Sequence, residues 1–355
     1  VASLALLLAL AVVLWRAPLT DDEVVPSPTA PEAVPYDPSF ALRRPIGDDP
    51  AIDPRSAAIV ERLARNAAED RVQLAVNGET PPVYRVDAGD PFLRVRVGEE
   101  TVRFRVPEGA RPGSGQDHPL VLLDRDHPDL GPFVELRLFQ AEIDREAGEI
   151  RASGAGLFHY NNDGRRLNPD GSPSVSVPFA GGGTGSGLSI LAGLVRPQEV
   201  AAGRIEHAIR FSYSNVDAIP GFRPPAVKSD QPKGVDTRDP ASAMQIGTRL
   251  QLDPAVDCAR RTVPGRGGSS QETRFLRMFC VALQRYGMVM LDGTAPGNVF
   301  IPLENLETAP WDVLLGTSRE GGYGHIVRSR ATAPDGLSRN ASSGIPWERM
   351  RVLAP

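Results

Sequence analysis

The sequence predicts a mainly β fold, a β-sandwich or jelly-roll-like domain carrying two peripheral helices. Three observations point there. About ten short runs with strand-like alternation or continuous apolar character recur along the chain, as half-buried and buried strands require. The turns between them draw on 35 glycines and 34 prolines, the residues that supply tight-turn geometry. Only two stretches have helical periodicity, and they do not alternate with the strands as a doubly wound sheet would need.

The first predicted helix covers 53–69. Asp53 is placed to cap it, Pro54 fits its first turn, and Ile59, Val60, Leu63 and Ala67 recur at helical spacing. The second begins at Ser269-Ser270-Gln271-Glu272, a capping-box pattern. Phe275, Met278, Phe279, Ala282, Leu283 and Tyr286 form its apolar stripe, and Gly287 ends it.

Strands are expected at 72–76, 83–86, 92–97 and 101–106. The last two join through Gly98-Glu99-Glu100 as a hairpin. Leu93, Val95, Val97, Val102, Phe104 and Val106 form its apolar face, and Arg94, Arg96, Arg103 and Arg105 line the other. Further strands are expected at 120–124, 133–143, 149–160, 204–213, 244–252, 288–292, 298–301 (pairing with 288–292), 311–315 and 348–353. Turn and loop compositions fall at 110–118, 161–164, 168–176, 220–240, 260–268 and 316–344. No internal repeat is evident.

Residues 1–16, an apolar run closed by Arg16, read as a signal peptide or N-terminal membrane anchor with a truncated start. Residues 17–38 carry prolines at 18, 26, 28, 31, 35 and 38 and read as an extended linker. One β-rich domain is expected over 39–355. The net charge of −5 is mild and no basic stripe occurs, which argues against nucleic acid as a partner. Cys258 and Cys280 could form a disulfide in an exported protein; two buried thiols are the alternative. Two cysteines alone make no metal site, and no cofactor is expected.

Several residues could carry chemistry. In a strand over 204–213, Ile205, His207, Ile209, Phe211 and Tyr213 share one face, with Glu206, Ala208, Arg210 and Ser212 on the other. His207 is then either a satisfied core residue or, beside carboxylates, an acid or base. Glu206 and Arg210 could form a surface ion pair. Arg196-Pro197-Gln198-Glu199 reads as a turn or short helix start. Asp124 and Glu135 lie on successive strands and could flank a glycosidic bond, or Asp124 could hold a loop through Arg125. The glycines at 181–187 lack the Gly-Lys-Ser/Thr of a phosphate loop. Gly185-Ser186-Gly187 lacks the full nucleophile-elbow pattern.

Four stretches carry a resemblance: 121–126 (Val-Leu-Leu-Asp-Arg-Asp) with Glu135-Leu136; 187–196 (Gly-Leu-Ser-Ile-Leu-Ala-Gly-Leu-Val-Arg) with Glu199; 203–211 (Gly-Arg-Ile-Glu-His-Ala-Ile-Arg-Phe); and 282–288 (Ala-Leu-Gln-Arg-Tyr-Gly-Met). From residue 120 to the C terminus the chain resembles a family of exported, largely uncharacterised bacterial β-rich proteins. It departs from that pattern at Asp292-Gly293, where the family has an Asp-Asn or Asp-Asp pair. It departs again at Phe222-Arg223-Pro224-Pro225, where the family has a Trp-rich segment. The resemblance implies export and a β-rich domain; it implies no reaction.

Two functions follow as expectations. The first is an exported envelope or secreted protein that binds or processes carbohydrate, with polysaccharide or cell-wall glycan as partner. Catalysis would then fall to Asp124, Glu135, Glu199 and His207, while Arg196 and Arg210 orient the substrate, bidentately if it carries carboxylates. The second is a non-catalytic structural or adhesive module in which the charged residues form a buried network. The expected location is extracytoplasmic, with membrane contact only through the N-terminal segment if it is retained.

Overall fold

The computed structural model describes residues 35–161, 164, 166–167, 184–214, 218–230, 239–264, 268–295, 297–316, 322–328 and 343–355. The expected signal segment, most of the linker, the loop at 168–176 and Gly181 to Gly183 lie outside the described residues. The fold is mainly β, with several sheets and few helices, 32% strand and 20% helix.

The strands in chain order are β1 (Val72–Ala75), β2 (Val83–Arg85), β3 (Phe92–Val97), β4 (Glu100–Arg105), β5 (Leu120–His127), β6 (Gly131–Phe139), β7 (Glu142–Asp144), β8 (Glu149–Arg151), β9 (Gly154–His159), β10 (Arg166–Leu167), β11 (Ile209–Ser214), β12 (Ala218–Phe222), β13 (Met244–Ile246), β14 (Arg249–Leu252), β15 (Met288–Thr294), β16 (Val299–Pro302) and β17 (Met350–Val352). The α-helices are α1 (Ser56–Ala68), α2 (Pro197–Ala201), α3 (Ser270–Arg285), α4 (Trp311–Leu315) and α5 (Gly324–Val327).

Three sheets stack. A six-stranded sheet has the order β1-β16-β11-β15-β14-β17, a five-stranded sheet β10-β9-β6-β5-β2, and a four-stranded sheet β4-β3-β8-β7. The side-chain period of two sorts each strand between layers. On β11, Ile209, Phe211 and Tyr213 face a core shared with Ile59 and Leu63 of α1 and Phe275 and Phe279 of α3. On β5, Leu120 and Leu122 join Val95, Phe104 and Ile150 in a core between the five- and four-stranded sheets. Val121 and Leu123 point the other way, to Ile190, Leu191, Leu194, Val289 and Leu291. The middle sheet is thus covered on both faces. Its outer neighbours are the six-stranded sheet on one side and the hairpin sheet on the other.

The sheets are mixed rather than wholly antiparallel: β1–β16, β11–β15, β2–β5 and β3–β8 are parallel pairs. The β3–β4 hairpin has the expected apolar face, with Leu93, Val95, Val97, Val102 and Phe104 buried. The second predicted helix is α3, with the Ser269–Glu272 capping box in place. Gly287 follows it at φ 74°, and a side chain there would meet Leu250 O. The first helix starts three residues late, at Ser56. The Asp53 carboxylate instead accepts from Arg55 N at 2.8 Å and Arg223 Nη2 at 3.0 Å.

Other expectations are corrected. Residues 311–315 form α4, not a strand. Asp312 suits its first turn, and Gly316 ends it at φ 82°. β16 pairs with β1 and β11, not with β15. The run 204–213 is a strand only from Ile209. The runs 133–143 and 149–160 each break in two, the former at Gln140 with φ 53°. The predicted linker ends earlier than residue 38, because Tyr36 is buried in the domain.

Candidate functional site

A cluster of buried polar side chains lies between β6 and β11. On β6, Val134, Leu136 and Leu138 fill the core toward the hairpin sheet, so Glu135 and Arg137 point toward the six-stranded sheet. From that sheet, Arg210 and Ser212 of β11 point back. Both are buried. The stretch 187–196 threads between. Gly193 O accepts from Arg210 N at 2.9 Å. Gly193 has φ 80°, and a side chain there would strike Ala208 O and Arg210 N, so only glycine permits this approach.

The deepest part of this layer is a closed polar network. Tyr36 Oη donates to Glu135 Oε2 at 2.6 Å, and Ser189 Oγ lies 2.7 and 2.6 Å from the two carboxylate oxygens. The same Ser189 oxygen accepts from Leu191 N and Ala192 N. Burial pushes the Glu135 carboxyl up, against the lowering effect of these hydrogen bonds. His207 Nε2 lies 2.9 Å from Glu199 Oε1, and Glu199 Oε2 caps α2 by accepting from Arg196 N at 3.0 Å. The Arg196 side chain is 1% exposed. Glu199 and Glu304 beside it hold up a basicity that burial lowers. Burial pushes Glu304 up to about 7, opposed by Arg196 and by a Thr308 hydrogen bond. Glu135 is thus engaged by Tyr36 and by Ser189 of the 187–196 segment, while Glu199 engages the Arg196 backbone beside His207. None lines the cavity described below.

Asp124 stands apart. It pairs with Val134 while Leu123 pairs with Glu135, so Asp124 and Glu135 project from opposite faces and do not flank one bond. Both Asp124 oxygens lie 2.9 Å from Arg105 Nη1, and Oδ1 accepts from Asp126 N. The loop-holding reading fits, with Arg105 in place of Arg125. Glu206 and Arg210 form no surface pair. Glu206 is 3.4 Å from Arg204, and Arg210 turns inward.

A cavity of about 130 Å³ opens at the edge of this layer. Its polar lining is Arg137, Arg210, Ser212, Thr294, Asp292, Asp117 and Glu79; Ile190, Phe300 and prolines supply the apolar part. Arg210 Nη1 donates to Ile190 O at 3.2 Å, and its Nη2 is 3.8 Å from Asp292 Oδ2. Burial pulls the Arg210 guanidinium down to about 10, with Asp292 opposing. Glu79 accepts from Gln116 N and Asp117 N at 2.8 Å, fixing the loop that carries Asp117. Burial, with Glu79 and Asp292 nearby, pushes the Asp117 carboxyl up. Two guanidiniums and three carboxylates thus surround one space, offering donors and acceptors together. Among the described residues the carboxylates do not gather as a metal site would.

Of the six residues singled out for chemistry, only Arg210 reaches the cavity. Arg137, Asp292 and Asp117 were not anticipated. Arg137 had a signal: Glu135 and Arg137 alternate with leucines in a strand that is paired on both sides. Cys258 and Cys280 are bonded and tie the turn at Cys258–Arg260 to α3. No helix among the described residues is long and apolar enough to cross a membrane. No family model, curated protein or solved structure matches the chain, so the site is read from its own geometry.

Proposed function

We propose that this is an exported bacterial envelope or secreted protein that binds carbohydrate, taking one sugar ring in the cavity between β6 and β11. The observation that carries the reading is the lining. Arg137 and Arg210 donate, Asp117 and Asp292 accept, and Phe300 and Ile190 offer apolar surface. A sugar ring needs such a set, because its hydroxyls both donate and accept while its C–H faces are apolar. The cavity of about 130 Å³ is open at the edge of the layer, so a sugar ring would enter with part of it outside. The Cys258–Cys280 bond supports export, since structural disulfides belong to oxidising compartments. The resemblance over residues 120 to the C terminus supports export as well. The hairpin sheet packed on the five-stranded sheet around one core supports a sandwich-like description of that part of the chain.

A second reading, a structural or adhesive envelope module, is favoured by the closed Glu135–Tyr36–Ser189 and Glu199–His207 contacts. The two are separated by titrating the purified protein with wall and extracellular oligosaccharides in a calorimeter. Binding that weakens at least tenfold in Asp292→Asn supports the first. Absence of binding across the set leaves the second.

A further inference from the structure

We propose that the saccharide is acidic, a uronate whose carboxylate sits on Arg137; this deepens the carbohydrate reading and rests on it. Arg137 is 8% exposed. Its guanidinium carries five N–H donors and cannot accept. It makes no hydrogen bond and no ion pair among the described residues, and its Nε is buried without an acceptor. The ring of Phe139 lies 5.5 Å away, and Asp292, Asp117 and Glu135 act on the guanidinium through their charge alone. Arg210, whose Nε is likewise buried without an acceptor, differs in that its terminal nitrogens have the Ile190 carbonyl and the nearby Asp292.

The buried Nε lacks an acceptor and the side chain lines the cavity, so an acceptor placed there would be bound. A hydroxyl answers that lack weakly. A carboxylate answers it with two parallel, charge-assisted bonds that match the planar fork. The carboxylates of the wall fix the orientation. Asp292 and Asp117 repel a second carboxylate and accept from hydroxyls, so the acid group goes to Arg137 and the ring hydroxyls face the aspartates. A neutral sugar satisfies the aspartates and offers Arg137 only a hydroxyl.

The test compares three ligands by calorimetry on the folded protein: a galacturonate or glucuronate disaccharide, its neutral counterpart, and inorganic phosphate. The uronate is expected to bind at least tenfold more tightly than the neutral sugar. Arg137→Met should bring the two to equal affinity, and Arg137→Lys should keep part of the difference. Thermal melting checks that the variants fold, and the wild-type ratio decides even where they do not. Equal affinity of the wild type for acidic and neutral sugars overturns the acidic assignment and leaves the carbohydrate reading standing. Phosphate binding as tightly as the uronate overturns it too, because the site would then read charge alone. No binding of either sugar overturns both readings.

Discussion

His207 Nε2 lies 2.9 Å from Glu199 Oε1, with the two side chains 4% and 1% exposed. The other ring nitrogen, Nδ1, is 3.0 Å from Ala208 O. A carbonyl only accepts, so Nδ1 carries a hydrogen. Nε2 faces the carboxylate, and the pair acts as a clamp between α2 and the chain entering β11.

That clamp should matter for stability and not for ligand. Removing one partner of a buried pair costs about 3–5 kcal/mol. Glu199→Ala is expected to lower the urea midpoint accordingly, while the folded fraction keeps its saccharide affinity. Loss of affinity without loss of stability would return Glu199 to the binding machinery.

Glu304 makes a pH-dependent contribution. Its carboxyl is held at about 7 in the fold, against an ordinary 4.5, chiefly by burial. The folded state therefore holds the proton more tightly than the unfolded state. The stabilisation is complete below about 4.5 and is lost as pH rises through 7. At about 1.4 kcal/mol per pH unit, the change is roughly 3 kcal/mol. Urea unfolding between pH 4.5 and 8 should show this decline, and Glu304→Gln should flatten it.

The disulfide closes a loop of 22 residues, which stabilises the fold by roughly 3 kcal/mol when the unfolded chain is constrained. Cys258→Ser with Cys280→Ser is expected to reduce stability by that order in denaturant titrations. A reductant should affect the wild type and leave the double variant unchanged.

Asp124 should behave as a structural anchor. Its bonds to Arg105 of β4 tie β5 to the hairpin sheet, and Asp126 N within β5 donates to the same carboxylate. Hydrogen bonds of this charged kind contribute about 1.5–3 kcal/mol. Asp124→Ala should destabilise by that order and leave saccharide titrations unchanged.

The fold was legible in the sequence where local signals are strong. The capping box at Ser269, the alternation at 92–106 and the apolar run at 120–124 each specify one element. Stacking was less legible. The residues of β5 and β6 alternate between two cores, and sequence does not say that both faces are covered. This is why Arg210 read as a surface residue. Its strand is apolar on one face, and the polar face is covered by a sheet from a distant part of the chain. The same covering brought Arg137 opposite Arg210 across 73 positions of sequence. The register of the β5–β6 pair turned Asp124 away from Glu135, because one residue of register decides the face. Trp311 was misassigned because its five-residue stretch is too short for periodicity to separate helix from strand.

The most direct test of the central claim is a glycan array probed with the wild-type protein and with Asp292→Asn, followed by calorimetry on the best hit. Asp292 lines the cavity and faces Arg210, and it is outside the buried network that holds the fold. At least one glycan is expected to bind the wild type, with at least tenfold weaker binding to the variant, whose cooperative melting shows that it folds. No glycan bound, or a hit with equal affinity for both proteins, would contradict it.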